Sequence, residues 1–181
     1  MSFCYPNKTG EIMDAMEALL TRRSVRKYSK KIISDELIKE LIEAGISAPS
    51  AENKQPWHLI IIDDHKIINK IPDFHPNAKM LPKSQKAILV CGDLDIEANI
   101  GYLIQDCSAA TENILIAARA KGLGSCWLGL YPMENRINNI RKMLKIPENI
   151  LPFSLISLGY PQVEQLRIDR YNSERIHKNK W

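Results

Sequence analysis

Arg22-Arg23-Ser24-Val25-Arg26-Lys27-Tyr28 is the stretch on which the reading of this chain turns. It places four cationic side chains within six residues, directly after a helical pattern. Guanidinium groups so close repel one another unless an anion sits among them or water screens them. Their planar forks also match phosphate oxygens two at a time. Ser24 adds a hydroxyl donor at the same place. The plainer alternative is a solvated basic turn, whose cations suit the end of the preceding helix dipole.

Upstream, Ile12, Met16, Leu19 and Leu20 recur at helical spacing and predict an amphipathic helix over 11–22. Downstream, Ser34 reads as an N-cap with Asp35 and Glu36 in the first turn, and Leu37, Ile38, Leu41 and Ile42 give that helix its apolar face. Strands are predicted at 58–62, 87–91, 125–130 and 153–158, and helices at 100–121 and around 137–144. Residues 63–86, with Pro72, Pro76 and Pro82, read as irregular, with room for a mobile flap but not a long lid. The 100–121 helix is apolar on several faces, so it calls for cover from a core or a second subunit. Four strands and four or five helices without strict alternation predict an α+β layered domain. Residues 1–10 form an N-terminal extension, and 11–181 a single domain.

Composition sets wide bounds. The 181 residues are 45% hydrophobic and 25% charged, with net charge +4, which suits a globular protein and argues little for nucleic acid. Cys4, Cys91, Cys107 and Cys126 form no CxxC pair. His58, His65, His75 and His177 stand at no metal-ligand spacing beside them, so no metal site is expected. Residues 1–10 have no apolar core of signal-peptide length, and no apolar run approaches the roughly 20 residues of a membrane span. A cytoplasmic protein without membrane contact is expected.

Two further stretches carry chemistry. Ala48-Pro49-Ser50-Ala51-Glu52-Asn53-Lys54-Gln55-Pro56-Trp57 offers hydroxyl and amide groups that both donate and accept, as the polar edge of a flavin or nucleobase requires. Gly122-Leu123-Gly124-Ser125-Cys126-Trp127-Leu128-Gly129 opens with two glycines that read as a helix C-cap and match neither a dinucleotide fingerprint nor a phosphate loop. Gly129, at a strand end, points to close backbone approach to something else.

Taken in order, these stretches resemble the nitroreductase family of flavoproteins. Asp106-Cys107-Ser108-Ala109-Ala110-Thr111-Glu112-Asn113, Ser157-Leu158-Gly159-Tyr160-Pro161 and Arg170…Arg175-Ile176-His177 join the resemblance, which runs from about residue 12 to the C-terminus. The resemblance implies a mixed, mainly antiparallel sheet flanked by helices, built as an intertwined homodimer with FMN at the interface. Arg22, Arg23, Ser24 and Arg26 would hold the FMN phosphate and ribityl chain, completed by Arg170, with Arg167 a rival for a second contact. Pro49, Ser50 and Asn53 would be laid against the isoalloxazine ring by the partner chain. Trp127, Leu128 and Gly129 would pass the ring, with a backbone N–H facing N5, and Lys79 would lie near N1 and O2. The flavin carries the chemistry, so no catalytic side chain is expected. NADH or NADPH would donate to it, and nitro compounds, quinones or similar small acceptors would follow on the same face, giving ping-pong kinetics.

Other readings stay open. The same fold could serve another flavin reaction, such as reductive dehalogenation, or a flavin-binding protein that stores or senses without turnover. A small basic interaction domain would interleave aromatic residues with its cations. Only Tyr28 stands near them.

Overall fold

The computed structural model describes residues 13–181. The 1–10 extension and Ile12 of the first predicted helix lie outside the described residues. The elements run α1 (Ala15–Thr21), α2 (Asp35–Ile46), β1 (Trp57–Ile62), α3 (His65–Ile68), β2 (Lys86–Asp93), α4 (Ile100–Ala120), β3 (Gly124–Gly129), α5 (Glu134–Leu144) and β4 (Ile150–Gly159). The strands form one sheet in the order β1-β2-β4-β3, and every ladder is antiparallel. The parallel part of the expected mixed, mainly antiparallel pattern is confined to an isolated bridge between Ser24 and Ser125, outside the named strands.

β2 explains why the 87–91 run is continuously apolar. Ala87, Leu89 and Cys91 pack into one core, and Ile88 and Val90 into another. A strand covered on both faces has no polar side to show. One core joins the sheet to α5, α3 and Tyr28. The other joins it to α2 and α4 through Leu37, Leu41, Leu103, Cys107, Ile114 and Leu115. Each fully buried aliphatic side chain contributes about 1.5–3 kcal/mol. The β2–β4 register shifts between Val90 and Cys91, opposite Ser154 and Pro152. Proline cannot donate to a ladder, and strands accommodate it at such irregularities.

One expectation needs correction. Residues 63–86 are a packed run of short helical turns: α3, then 3-10 turns at Ile71–Asp73, Pro76–Ala78 and Leu81–Lys83. Ile68, Ile71, Ala78 and Leu81 are wholly buried and pin it to the core, so it is no loose flap. The prolines start these turns, where a missing N–H is tolerated. In α1, capped by Asp14 Oδ1 accepting from Glu17 N at 2.8 Å, the apolar face points outward. Met16, Leu19 and Leu20 are 60, 47 and 39% exposed, while Ala18 is buried. The tail beyond Pro161 is similar, with Leu166, Ile168, Tyr171 and Ile176 exposed. Among the described residues, no helix is long and apolar enough to cross a membrane.

Candidate functional site

The basic stretch is held in extended form across the ends of β3 and β4. Val25 N donates to Ser125 O at 2.8 Å, Ser29 N to Tyr160 O at 2.8 Å, and Gln162 N to Lys27 O at 3.1 Å. Two glycines permit this approach. A Cβ on Gly124 would lie 2.7 Å from Val25 Cγ1, and one on Gly159 would lie 2.6 Å from Tyr28 Cδ1. Gly122, with φ +74°, is the left-handed residue that ends α4, so the two glycines of the Gly-Leu-Gly run do different work. Tyr28 Oη donates to Val25 O at 2.7 Å and shares a 2.7 Å hydrogen bond with Ser157 Oγ. Burial pushes its phenol far above the ordinary range, so it stays protonated. The cationic side chains therefore project from an anchored backbone.

Three adjoining cavities open along this stretch. The first, about 620 Å³, is lined by Arg26, Lys79, Lys83, His75 and Asn77 together with Trp127, Leu128 and Gly129. The second, about 530 Å³, runs over Arg23, Ser24, Arg26 and Lys27 beneath residues 163–168. The third, about 370 Å³, gathers Arg22, Arg23, Arg167 and Arg170 beside Leu19 and Tyr171. Arg26 belongs to the first two, and Arg23 to the last two. Nine of the twelve expected site residues thus line these three cavities, which are linked by shared lining residues. Arg170 and its rival Arg167 both line the third. Arg22 Nε is engaged by Glu112 Oε1 at 2.9 Å, which fixes its guanidinium at the helix end. Gln165 ties the tail down: its Oε1 accepts from Arg23 N at 3.2 Å, and its backbone oxygen accepts from Arg119 at 3.4 Å.

His75 and Arg136 were not anticipated, and both converge on Gly129. The Gly129 carbonyl accepts from Arg136 Nη1 at 2.8 Å and is 3.1 Å from His75 Nε2. Leu130 N, on the same peptide, donates to Phe153 O at 3.1 Å. That peptide is fixed at both ends. Burial first, and the Arg136 charge second, hold the His75 imidazole below its ordinary value, so it is neutral at pH 7. Nothing in the spacing of residues 75, 129 and 136 announces their meeting. A Cβ on Gly129 would meet only Tyr131 O, at 3.8 Å, so among the described residues no neighbour requires glycine there. Its absence leaves strand backbone open to the cavity.

Pro49, Ser50 and Asn53 line none of the three cavities. Their loop is tightly built nonetheless. Glu52, Asn53 and Gln55 all have φ between 52° and 55°, a conformation that costs non-glycine residues energy. The buried Asp106 on α4 accepts from Ala51 N at 3.0 Å, Ser50 Oγ accepts from Gln55 N at 2.9 Å, and Lys54 pairs with the buried Glu97 at 2.9 Å. Surrounding contacts therefore hold a strained loop on the surface.

The sequence profile of the Nitroreductase family matches residues 19–90 and 77–160. An Archaeoglobus fulgidus protein, provisionally named an NADH dehydrogenase/NAD(P)H nitroreductase, is 46% identical over 172 residues, 93% of this chain and 99% of its own length. The crystal structure of a protein with the same provisional name from Parabacteroides distasonis superposes with a TM-score of 0.88 at 40% identity, covering 92% of this chain and 98% of that one. An FMN-dependent nitroreductase from Clostridium difficile gives a TM-score of 0.83 at 26% identity, covering 91% and 99%. The chain belongs to the Nitroreductase family.

Proposed function

We propose that this chain is an FMN-dependent oxidoreductase that takes electrons from NADH or NADPH and reduces nitro compounds, quinones or similar small acceptors. The observation that carries the reading is this row of cavities, linked by Arg23 and Arg26. One end is rich in guanidinium groups, and the other presents strand backbone left open at Gly129. A molecule with a dianionic phosphate at one end and a flat polar ring at the other fits that charge pattern. Arg22, Arg23, Ser24 and Arg170, with Arg167 beside them, would hold the phosphate and ribityl chain. Arg26 bridges to the ring end, where Lys79 offsets negative charge and Trp127, Leu128 and Gly129 pass the ring. Bound FMN supplies reversible hydride exchange, with donor and acceptor using one face in turn, ping-pong fashion. The chain's part is to orient and to tune: His75 and Arg136 hold the Gly129 peptide still, and Lys79 favours the reduced, more negative cofactor.

The single domain from residue 11 onward would work as an intertwined homodimer, in the cytoplasm. Exposed apolar side chains on α1 and the tail support the dimer, because contiguous exposed apolar surface marks an interface. The strained 49–56 loop would then be laid on the ring by a second copy, which accounts for Pro49, Ser50 and Asn53 lining none of the cavities in their own chain.

The test is direct. Purified protein should be yellow, and anaerobic NADH or NADPH should bleach it. A colourless protein that cannot be reconstituted with FMN refutes the reading, and flavin that neither nucleotide reduces would favour storage or sensing. Arg22→Ala with Arg26→Ala should lower flavin content; unchanged content contradicts the phosphate assignment. Light scattering at 20.7 kDa with FMN bound would refute the two-chain site.

A further inference from the structure

The first cavity carries more positive charge than the FMN assignment uses. Arg26, Lys79 and Lys83 line it, and no aspartate or glutamate does. None of the three forms an ion pair with a carboxylate among the described residues. All three are exposed residues in the lining, so their field reaches an approaching ligand. His75 adds no charge at pH 7, because it is buried and its imidazole is held neutral. Arg136 adds a further cation just behind Gly129.

If FMN binds as proposed, its charge is offset along the row of cavities. Its phosphate meets Arg22, Arg23 and Arg170, and its ring end meets Arg26 and Lys79. Lys83 remains. It stands at the end of the Leu81–Lys83 turn, whose Leu81 is wholly buried, so the lysine is presented from a fixed base. A second ligand carrying negative charge would relieve the repulsion among these cations, and a neutral one would not.

We propose that this cavity selects anionic acceptors, namely aromatic nitro compounds or quinones bearing a carboxylate or sulfonate, and that Lys83 is a specificity-determining residue for them. The inference rests on the FMN oxidoreductase reading and goes further by naming the acceptor class. Recognition is by charge at an open site, so it is moderate in size and falls with ionic strength.

The experiment uses FMN-loaded protein and two probe pairs of nearly equal shape: benzoate with benzamide, and 4-nitrobenzoate with 4-nitrobenzamide. Equilibrium dialysis gives the affinity of the first pair without turnover. Benzoate should bind about fivefold more tightly than benzamide at low salt. The difference should shrink when sodium chloride rises from about 0.02 M to about 0.5 M. The second pair, with saturating NADH, gives kcat/KM for each acceptor. The intrinsic reducibility of the two compounds cancels when their ratio is compared between wild type and Lys83→Gln. That ratio should move about threefold or more toward the amide in Lys83→Gln, and further in Lys83→Glu.

Equal binding of benzoate and benzamide, a preference insensitive to salt, no detectable binding of either, or a ratio unmoved by Lys83→Glu would each overturn the proposal. Failure of the underlying reading looks different: protein without FMN, or FMN that NADH does not reduce, stops the experiment before any acceptor is compared.

Discussion

Replacing Gly124 by alanine should dislodge the basic stretch from the end of the sheet. The new Cβ would sit 2.7 Å from Val25 Cγ1, 2.8 Å from Val25 Cβ and 2.9 Å from Val25 Cγ2. All three distances are well inside van der Waals contact. Rotation about χ1 cannot relieve the contact with Cβ, which is fixed to the backbone. Relief requires the 24–25 backbone to move away, against the 2.8 Å hydrogen bond from Val25 N to Ser125 O. Overpacking of this kind costs about 1–3 kcal/mol. For a chain of this length that is a fall in melting temperature of about 2–12 °C. Arg23, Ser24 and Arg26 move with the backbone, so the protein should also lose flavin. The assay is a thermal melt by circular dichroism, with flavin per protein measured after desalting. Gly122→Ala is the control. Nothing lies within 4 Å of its new Cβ, and its cost is the left-handed φ of +74°, about 1 kcal/mol. It should melt lower yet keep its flavin. Adding Val25→Ala to Gly124→Ala removes two of the three close contacts and should recover part of both losses. Gly124→Ala with parental melting and full flavin, or Gly122→Ala losing flavin equally, would refute the reasoning.

Three further outcomes are expected. The His75 imidazole is held below its ordinary value of 6.5, so the unfolded chain binds more protons than the folded one as pH drops. Stability should therefore fall as pH decreases from about 6.5 toward the lowered folded value, and His75→Gln should flatten that part of a urea-midpoint profile against pH. Asp106→Leu leaves Ala51 N–H without its acceptor at a cost of about 1–3 kcal/mol, and limited proteolysis should then cut within 50–55 first; an uncut loop would deny Asp106 its anchoring role. Cys91, Cys107 and Cys126 are buried, and burial pushes the first two thiols up to about 12. A Cys4→Ala variant should thus be almost inert to a thiol reagent at pH 8 until denatured, and rapid labelling of the folded protein would contradict that burial.

Much of the architecture was legible because it depends on local pattern. Ser34 caps α2 as its position suggests, its Oγ accepting from Leu37 N at 3.2 Å. The four strands fall within a few residues of their apolar runs. The first helix stands within its predicted range, at Ala15–Thr21, but periodicity reports an apolar face and not what covers it. Met16, Leu19 and Leu20 form such a face and turn it outward. Prolines likewise signal a break in regular structure, but not that Ile71 and Leu81, each directly before one, would be buried.

The α+β class, the order of the main elements and the density of cations at residues 22–27 were readable along the chain, since each follows from near neighbours. The tertiary structure decided which distant residues share a site. The bridge from Ser24 to Ser125 and the short turns at 71–83 bring Arg26, Lys79 and Gly129 to one cavity. Only the packed fold shows that His75 and Arg136 meet at one carbonyl. Such contacts arise from burial and hydrogen bonding between elements far apart in sequence, and local spacing carries no trace of them.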